Sequence, residues 1–214
     1  MPKTLVARRP PREQVTASIL DAAILLFATR GYEATTMQDV AAKVGMTAPA
    51  LYYYFDSKQR LLFDVIELNM ERFAGNVDAM LASAPGSPTE ELRTFVRTHL
   101  EFQLERVDRA RIYNAMFLGT GALLGALSPR QRAEIKNLQT RVRDRLKAIL
   151  ERGMAGKEFR VRDVMVTSMG ILAMGEFAAA WFEPGGRLAV SEVAEQYADL
   201  AIRMVRRSDD RRKM

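Results

Sequence analysis

Apolar residues recur at three- and four-residue intervals along nearly the whole chain, and no stretch sustains the period-two alternation of a half-buried strand. That property restricts the chain to an all-α fold. Val15, Ile19, Ala23, Leu26 and Phe27 share one helical face and stop at Arg30-Gly31, a basic last turn followed by glycine. Thr36 can cap a short helix from Met37 to Val44, Gly45 breaks it, and Thr47 can cap a second short helix reaching about Tyr54. Asp56-Ser57 opens a long helix with Leu61, Leu62, Val65, Ile66, Phe73, Val77 and Leu81 along it, closed by Pro85-Gly86. Ser87-Pro88-Thr89-Glu90 and Ser128-Pro129-Arg130-Gln131 each set a capping serine before a proline at the first helical position. Asp163 or a residue near it starts another helix that ends at Pro184-Gly185-Gly186. Ser191 starts the last one, with Val193, Tyr197, Leu200, Ala201, Met204 and Val205 in one stripe. About nine helices result.

Composition removes several chemistries. The chain has 214 residues, enough for one large or two small domains, and no cysteine, so disulfides, thiolate nucleophiles and cysteine metal sites are excluded. Its one histidine, His99, cannot form a multi-histidine metal site, and nothing around it supplies the nucleophile and oxyanion donors of a catalytic base. Gly119 to Gly125 is glycine-rich, but no strand precedes it and no lysine follows, so it reads as a connection between helices. No catalytic residue, metal or cofactor is expected. Residues 1–12 are basic without an apolar core segment and do not read as a signal peptide. No continuous apolar run reaches the roughly 18 residues of a membrane span. The expectation is a cytoplasmic protein with no membrane partner.

The net charge of +6 is uneven. Lys3, Arg8, Arg9 and Arg12 make residues 1–14 a basic arm suited to a polyanion such as DNA, although a solvated tail has the same composition. Residues 130–162 carry eleven Lys and Arg against four Asp and Glu.

Segment 164–182 is apolar on nearly every side and must be covered all round. One flank can face its own core; the other calls for a second copy of the chain, with Gly170, Gly175, Ala179 and Ala180 allowing close helix approach. A central helix enclosed by one core would satisfy the same pattern. The dimer reading assigns Gly170, Ala173, Ala180, Tyr197, Leu200 and Met204 to the contact.

Segment 35–58 is the most informative. Two short helices meet at a turn at Gly45, with Val40, Val44, Met46 and Leu51 as the small core between them and Ala41 where they cross closely. The second is short enough to enter a major groove about 12 Å wide, presenting Thr47, Ala48, Ala50, Tyr53 and Tyr54. An αα-corner packed in a core is the competing reading, and three consecutive tyrosines fit it poorly because each buried hydroxyl needs a partner.

Residues 15–63 resemble the DNA-binding domain of TetR-family transcriptional regulators. The resemblance rests on Phe27-Ala28-Thr29-Arg30-Gly31-Tyr32, Ala34-Thr35-Thr36, Val40-Ala41, Val44-Gly45, Leu51-Tyr52-Tyr53-Tyr54-Phe55, Ser57-Lys58 and Leu61-Leu62. It implies a phosphate contact at Thr36, a recognition helix opened by Thr47 and Ala48, phosphate contacts at Tyr53 and Tyr54, and a backbone grip by Lys58, with Leu51 and Phe55 structural. Ala48-Pro49-Ala50 is unusually apolar for the family, so methyl contacts, DNA shape and Arg8, Arg9 and Arg12 in a minor groove are expected to carry more of the specificity.

The resemblance also implies a basic arm over 1–14, a DNA-binding domain over 15–60, a ligand-binding and dimerisation domain over 61–207, and a charged tail over 208–214. Pocket candidates are Phe73, Val77, Phe95, Phe102, Met116, Phe117, Leu124, Met169, Leu172, Phe177 and Trp181, each of which could equally be core packing. Trp181-Phe182-Glu183-Pro184-Gly185-Gly186-Arg187-Leu188 and Tyr197-Ala198-Asp199-Leu200 are similar to a branch of the family that senses acyl-CoA thioesters of lipid or sterol breakdown. On that reading Arg141, Arg145 and Arg152 would meet the phosphates of coenzyme A; a solvated helix face is the alternative. The implied function is a homodimeric repressor on a palindromic double-stranded operator, released by a small apolar ligand. A DNA-binding dimer without a small-molecule ligand is the alternative.

Overall fold

The computed structural model describes residues 11–83, 86–107, 109–111, 114 and 122–207. Nine α-helices lie among them: α1 (Arg12–Arg30), α2 (Met37–Lys43), α3 (Ala48–Tyr52), α4 (Lys58–Ser83), α5 (Pro88–Leu104), α6 (Ala122–Gly125), α7 (Pro129–Ala155), α8 (Val164–Trp181) and α9 (Val190–Val205). No strand occurs among the described residues; the one isolated bridge pairs Phe159 with Arg206. The fold is all-α, as the periodicity requires.

Local chemistry sets the helix ends. Thr36 and Asp39 form a reciprocal capping box on α2, with Asp39 N donating to Thr36 Oγ1 (3.1 Å) and Thr36 N to Asp39 Oδ2 (2.8 Å). Ser128 and Gln131 do the same on α7 (3.2 and 3.0 Å), and Asp163 Oδ1 accepts from Val166 N on α8 (2.9 Å). At α5 the Ser87 hydroxyl accepts from Glu90 N (3.3 Å) with Pro88 opening the helix. Two starts differ from the sequence reading. Pro11 precedes α1, so Arg12, Glu13 and Gln14 are helical rather than part of an arm. The last helix begins at Val190, where Glu192 Oε2 accepts from Ala189 N (2.7 Å).

The chain divides into two compact units, one ending at Val65 and the other starting at Ile66. The division falls inside α4 rather than at residue 60, because the first turns of α4 are fixed to the N-terminal unit: Lys58 Nζ donates to Tyr32 O (2.9 Å), and Leu61 and Leu62 are fully buried. The N-terminal unit buries Ile19, Ala23, Leu26 and Phe27 of α1, Val40 and Ala41 of α2, and Leu51 and Phe55 at α3.

In the C-terminal unit α5 is central, packing on α9, α8 and α7. The core holds Leu92, Phe95 and Leu100 of α5, Leu146, Ile149 and Leu150 of α7, Ile171 and Ala178 of α8, and Val193, Ala198 and Val205 of α9. Arg93 crosses from α5 to α9, donating to Asp199 Oδ1 (2.8 Å) and pairing with Glu195. Arg111 closes the C-terminal end of α8, donating to Ala179 O and Phe182 O (both 3.0 Å). One exclusion drawn from the sequence is corrected here. At 18 residues, α8 is long and apolar enough to cross a membrane by length and composition; Thr167, Ser168 and Glu176 interrupt the contiguous run without lowering its average below that level.

Candidate nucleic-acid interface and the C-terminal apolar face

The turn between α2 and α3 is built by backbone geometry that only its sequence permits. Gly45 adopts φ +69°, a left-handed conformation open to glycine. It lets Met46 N reach Ala41 O (2.8 Å) and Gly45 N reach Ala42 O (3.1 Å), the paired bonds of a Schellman ending. The chain then re-enters a helix at once, with the Thr47 hydroxyl accepting from Ala50 N (3.4 Å). Of the expected small core, Val40 and Leu51 are fully buried, while Val44 and Met46 are only half-buried at its edge.

Leu51 anchors α3, and the opposite side is open. Thr47 and Pro49 are exposed, Ala48 and Ala50 half-buried. Tyr53 is 72% exposed and Tyr52 51%, while Tyr54 is half-buried and meets Tyr53 edge-on at 5.5 Å. Tyr52 is exposed although the sequence places only Thr47, Ala48, Ala50, Tyr53 and Tyr54 on the open face. The Arg12 guanidinium lies over both neighbouring rings, 5.4 Å from Tyr53 and 5.8 Å from Tyr54. The base of the basic segment is thus joined to the end of α3, with an open groove between α1 and α3 lined by Val15, Ser18, Met46 and Ala50.

Thr36 is exposed at the start of α2, but its hydroxyl is engaged with Asp39 Oδ2 at 2.6 Å. These bonds, with Arg30 beside it, hold the Asp39 carboxyl below the ordinary range. Lys58 differs from its expected outward reach. Its ammonium donates to Tyr32 O and to Glu33 O (3.3 Å) and sits 4.3 Å over the Tyr32 ring, so it ties down the α1–α2 loop. Arg8 and Arg9 lie outside the described residues.

In the C-terminal unit the expected pocket set splits. Val77 and Phe95 are fully buried and Phe73 nearly so; Phe102, Leu124 and Leu172 are half-buried. Met169, Phe177 and Trp181 instead point outward, at 49%, 64% and 44% exposure. The sequence reading misplaced them because an all-apolar helix gives no phase by which to tell its inner from its outer face. They join Ala173 and Ala180 of α8 and Leu200 and Met204 of α9, all exposed, in one apolar surface. Tyr197 and Gly170 are half-buried at its seam: Tyr197 OH accepts from Trp181 Nε1 (3.3 Å), and a Cβ on Gly170 would touch Met204 Cε at 3.8 Å. Met116 and Phe117 lie outside the described residues.

Comparison with known proteins bears on both units. Residues 85–205, more than half of the chain, match the model for the tetracyclin repressor-like C-terminal domain, and residues 19–65 match that for bacterial regulatory proteins of the tetR family. The chain belongs to the TetR family of transcriptional regulators. The HTH-type transcriptional repressor KstR2 of Rhodococcus jostii is 26% identical over 86% of this chain and 87% of its own length. The TetR-family regulator PfmR of Thermus thermophilus is 34% identical, with a TM-score of 0.75 over 86% of this chain and 97% of that one. AibR, solved in complex with isovaleryl coenzyme A and operator DNA, is 27% identical, with a TM-score of 0.73 over 88% of this chain and 96% of that one. As a TetR-family member the chain is a DNA-binding transcriptional regulator, and α2, the Gly45 turn and α3 are its helix-turn-helix.

The basic block of this TetR-family chain behaves differently from its sequence expectation. Arg145 Nε meets Asp78 Oδ1 at 2.8 Å, Arg141 pairs with the same carboxylate, and Arg152 pairs with Glu91. The two guanidiniums hold the Asp78 carboxyl below its usual range against the opposing effect of desolvation. The three arginines expected to await phosphates are already paired with two acids of α4 and α5, Arg141 and Arg145 sharing Asp78 and Arg152 taking Glu91. No local signal could have shown this, since the partners stand about sixty residues away in sequence.

His99 is a core residue, 3% exposed, between the Phe73 ring (5.0 Å) and Gly175, with Gln103 Nε2 at 3.3 Å from its Nε2. Burial lowers its pKa to about 4, so it is neutral at pH 7. The same burial raises the carboxyl of Glu176. No cluster of metal-ligating side chains occurs among the described residues.

Proposed function

We propose that the chain is a homodimeric repressor that releases a palindromic operator when a small molecule with an apolar chain, an acyl-CoA thioester, binds its C-terminal unit. The DNA side rests on one observation: α3 buries Leu51 and leaves Thr47, Pro49, Tyr52 and Tyr53 open on the other side. In this reading Ala48, Pro49 and Ala50 meet thymine methyls, and Thr36, Thr47, Tyr53 and Tyr54 meet phosphates. Arg12, with Arg8 and Arg9 before it, follows the adjoining minor groove. Lys58 stiffens the loop that carries Thr36 and keeps a third donor for a phosphate.

The dimer reading rests on the apolar surface of α8 and α9, which contains the exposed Met169, Phe177, Trp181, Leu200 and Met204. Two recognition helices of such a dimer must stand about 34–36 Å apart to enter successive major grooves. Ligand binding acts by favouring a form with a different spacing, with α4 as the moving helix, and therefore must bind that form more tightly. AibR supports the ligand class, being a relative bound to a short acyl-CoA and to operator DNA.

The test is fluorescence anisotropy of DNA from upstream of the chain's own gene, at fixed salt, with acyl-CoA thioesters of several lengths. Release by one thioester supports the proposal. The complete burial of Val77 and Phe95 favours the alternative of a dimer with no ligand, which predicts an anisotropy that no thioester changes.

A further inference from the structure

The paired arginines of α7 leave open where an anionic ligand would be gripped, and a second cluster answers that. Asn69, Arg72 and Asn76 follow one another at helical spacing on one face of α4. With Gln103, Arg106 and Arg109 at and beyond the end of α5 they line a cleft of about 220 Å³. One carboxylate, Glu105, accompanies three guanidiniums. Among the described residues neither the Arg72 nor the Arg106 guanidinium has a hydrogen-bonding or ion-pair partner, in contrast to those of Arg93, Arg141, Arg145 and Arg152. Unpaired arginines grouped with amide donors form a site for a multiply charged oxyanion, to which they supply planar bidentate donors.

The wall of the cleft points to the rest of the ligand. Phe102 lines it and packs at a tilt against Phe73 at 5.1 Å, and Phe73 packs in turn, also tilted, on the buried His99. Gln103, which also lines it, reaches His99 from the other side. The polar rim therefore adjoins the aromatic part of the core, the arrangement an amphipathic anion needs.

We infer that this cleft between α4 and the end of α5 binds the phosphate-bearing part of an organic phosphate whose apolar tail lies against Phe102. The inference rests on the acyl-CoA reading for the tail and assigns Arg72 and Arg106, in place of Arg141, Arg145 and Arg152, to the phosphates. A free fatty acid shares the tail but not the phosphates, so the two are separable.

The experiment is calorimetric titration of the full chain with coenzyme A, octanoyl-CoA and octanoate. It uses wild type, Arg72→Gln/Arg106→Gln, the charge-keeping Arg72→Lys/Arg106→Lys, and Arg141→Gln. The expected result is a loss of at least about tenfold in affinity for coenzyme A and octanoyl-CoA in the glutamine pair, with octanoate unaffected. The lysine pair, which keeps the charge but loses the planar bidentate donors, falls between wild type and the glutamine pair, and Arg141→Gln stays close to wild type. Helical circular dichroism melts identify any variant that has unfolded, and the lysine pair then carries the comparison. A glutamine pair indistinguishable from wild type, or a wild type that binds neither coenzyme A compound, overturns the site. Operator release by octanoyl-CoA that persists in the glutamine pair overturns the cleft and leaves the proposed function standing. Coenzyme A bound at the cleft with no thioester affecting operator binding does the reverse.

Discussion

Gly175 of α8 lies directly beneath the imidazole of His99 of α5: a Cβ built on it would stand 2.8 Å from both Cε1 and Nδ1 of the ring. The Leu100 Cδ2 atom would be 3.2 Å away, so the new methyl group presses on two buried side chains of α5. This crossing lies within one chain, so Gly175 serves the α5–α8 contact rather than approach to a second copy.

Gly175→Ala should therefore destabilise the C-terminal unit. Overpacking costs about 1–3 kcal/mol and outweighs the gain of up to about 1 kcal/mol in helix propensity. Urea unfolding followed by circular dichroism checks this, and a more stable variant would contradict the contact. His99→Ala should relieve the effect when combined with it.

His99 also makes stability depend on pH. Its folded pKa of about 4 lies below the unfolded value near 6.5, so the unfolded chain binds the proton more readily. The contribution is complete above the unfolded pKa and is lost as pH falls from 6.5 towards 4. Between pH 7 and pH 5 the loss is about 2 kcal/mol. Denaturation midpoints at the two pH values, for wild type and His99→Gln, should differ by that much more in wild type.

Phe177 is 64% exposed in the middle of the apolar surface of α8. Phe177→Glu should shift the chain towards monomer in sedimentation velocity and weaken operator binding in parallel, without lowering helix content. A fully dimeric Phe177→Glu would remove α8 from the dimer contact.

The Arg12 guanidinium lies over the Tyr53 and Tyr54 rings and has no ion pair among the described residues, so its replacement separates electrostatics from folding. Arg12→Ala should lower operator affinity and reduce the slope of log affinity against log salt by about 1. An unchanged slope would show that its guanidinium meets no phosphate.

Thr36 combines two roles. Thr36→Ala removes the cap of α2 and should cost about 1 kcal/mol of stability, whereas Thr36→Ser keeps it. If the hydroxyl also meets a phosphate, Thr36→Ser retains operator affinity and Thr36→Ala loses more than its stability change accounts for. Equal affinities for the two variants would confine Thr36 to capping.

Much of this was legible because it is local. Helix starts at Thr36, Ser87, Ser128 and Asp163 depend on a side-chain oxygen three residues from the amide it accepts. The Gly45 turn depends on one residue's freedom to take positive φ. The helix-turn-helix is such a local assembly, and its motif spacing survives in the linear sequence. The embrace of Arg12 by Tyr53 and Tyr54 is not legible in the sequence because it depends on how α1 lies against α3.

Helical periodicity, most helix starts and the helix-turn-helix spacing of residues 35–58 are carried by the linear chain, since each follows from interactions spanning a few residues; the TetR family is carried by the motif resemblance over residues 15–63. The packed fold settles which side of α8 is inside, turns Met169, Phe177 and Trp181 outward, and pairs Arg141 and Arg145 with Asp78 and Arg152 with Glu91. It also decided that Arg72 and Arg106 share one cleft with Gln103. An apolar helix without polar residues to mark its phase, and a charge whose partner is about sixty residues away, are settled by packing between elements. No periodicity along the chain encodes that packing.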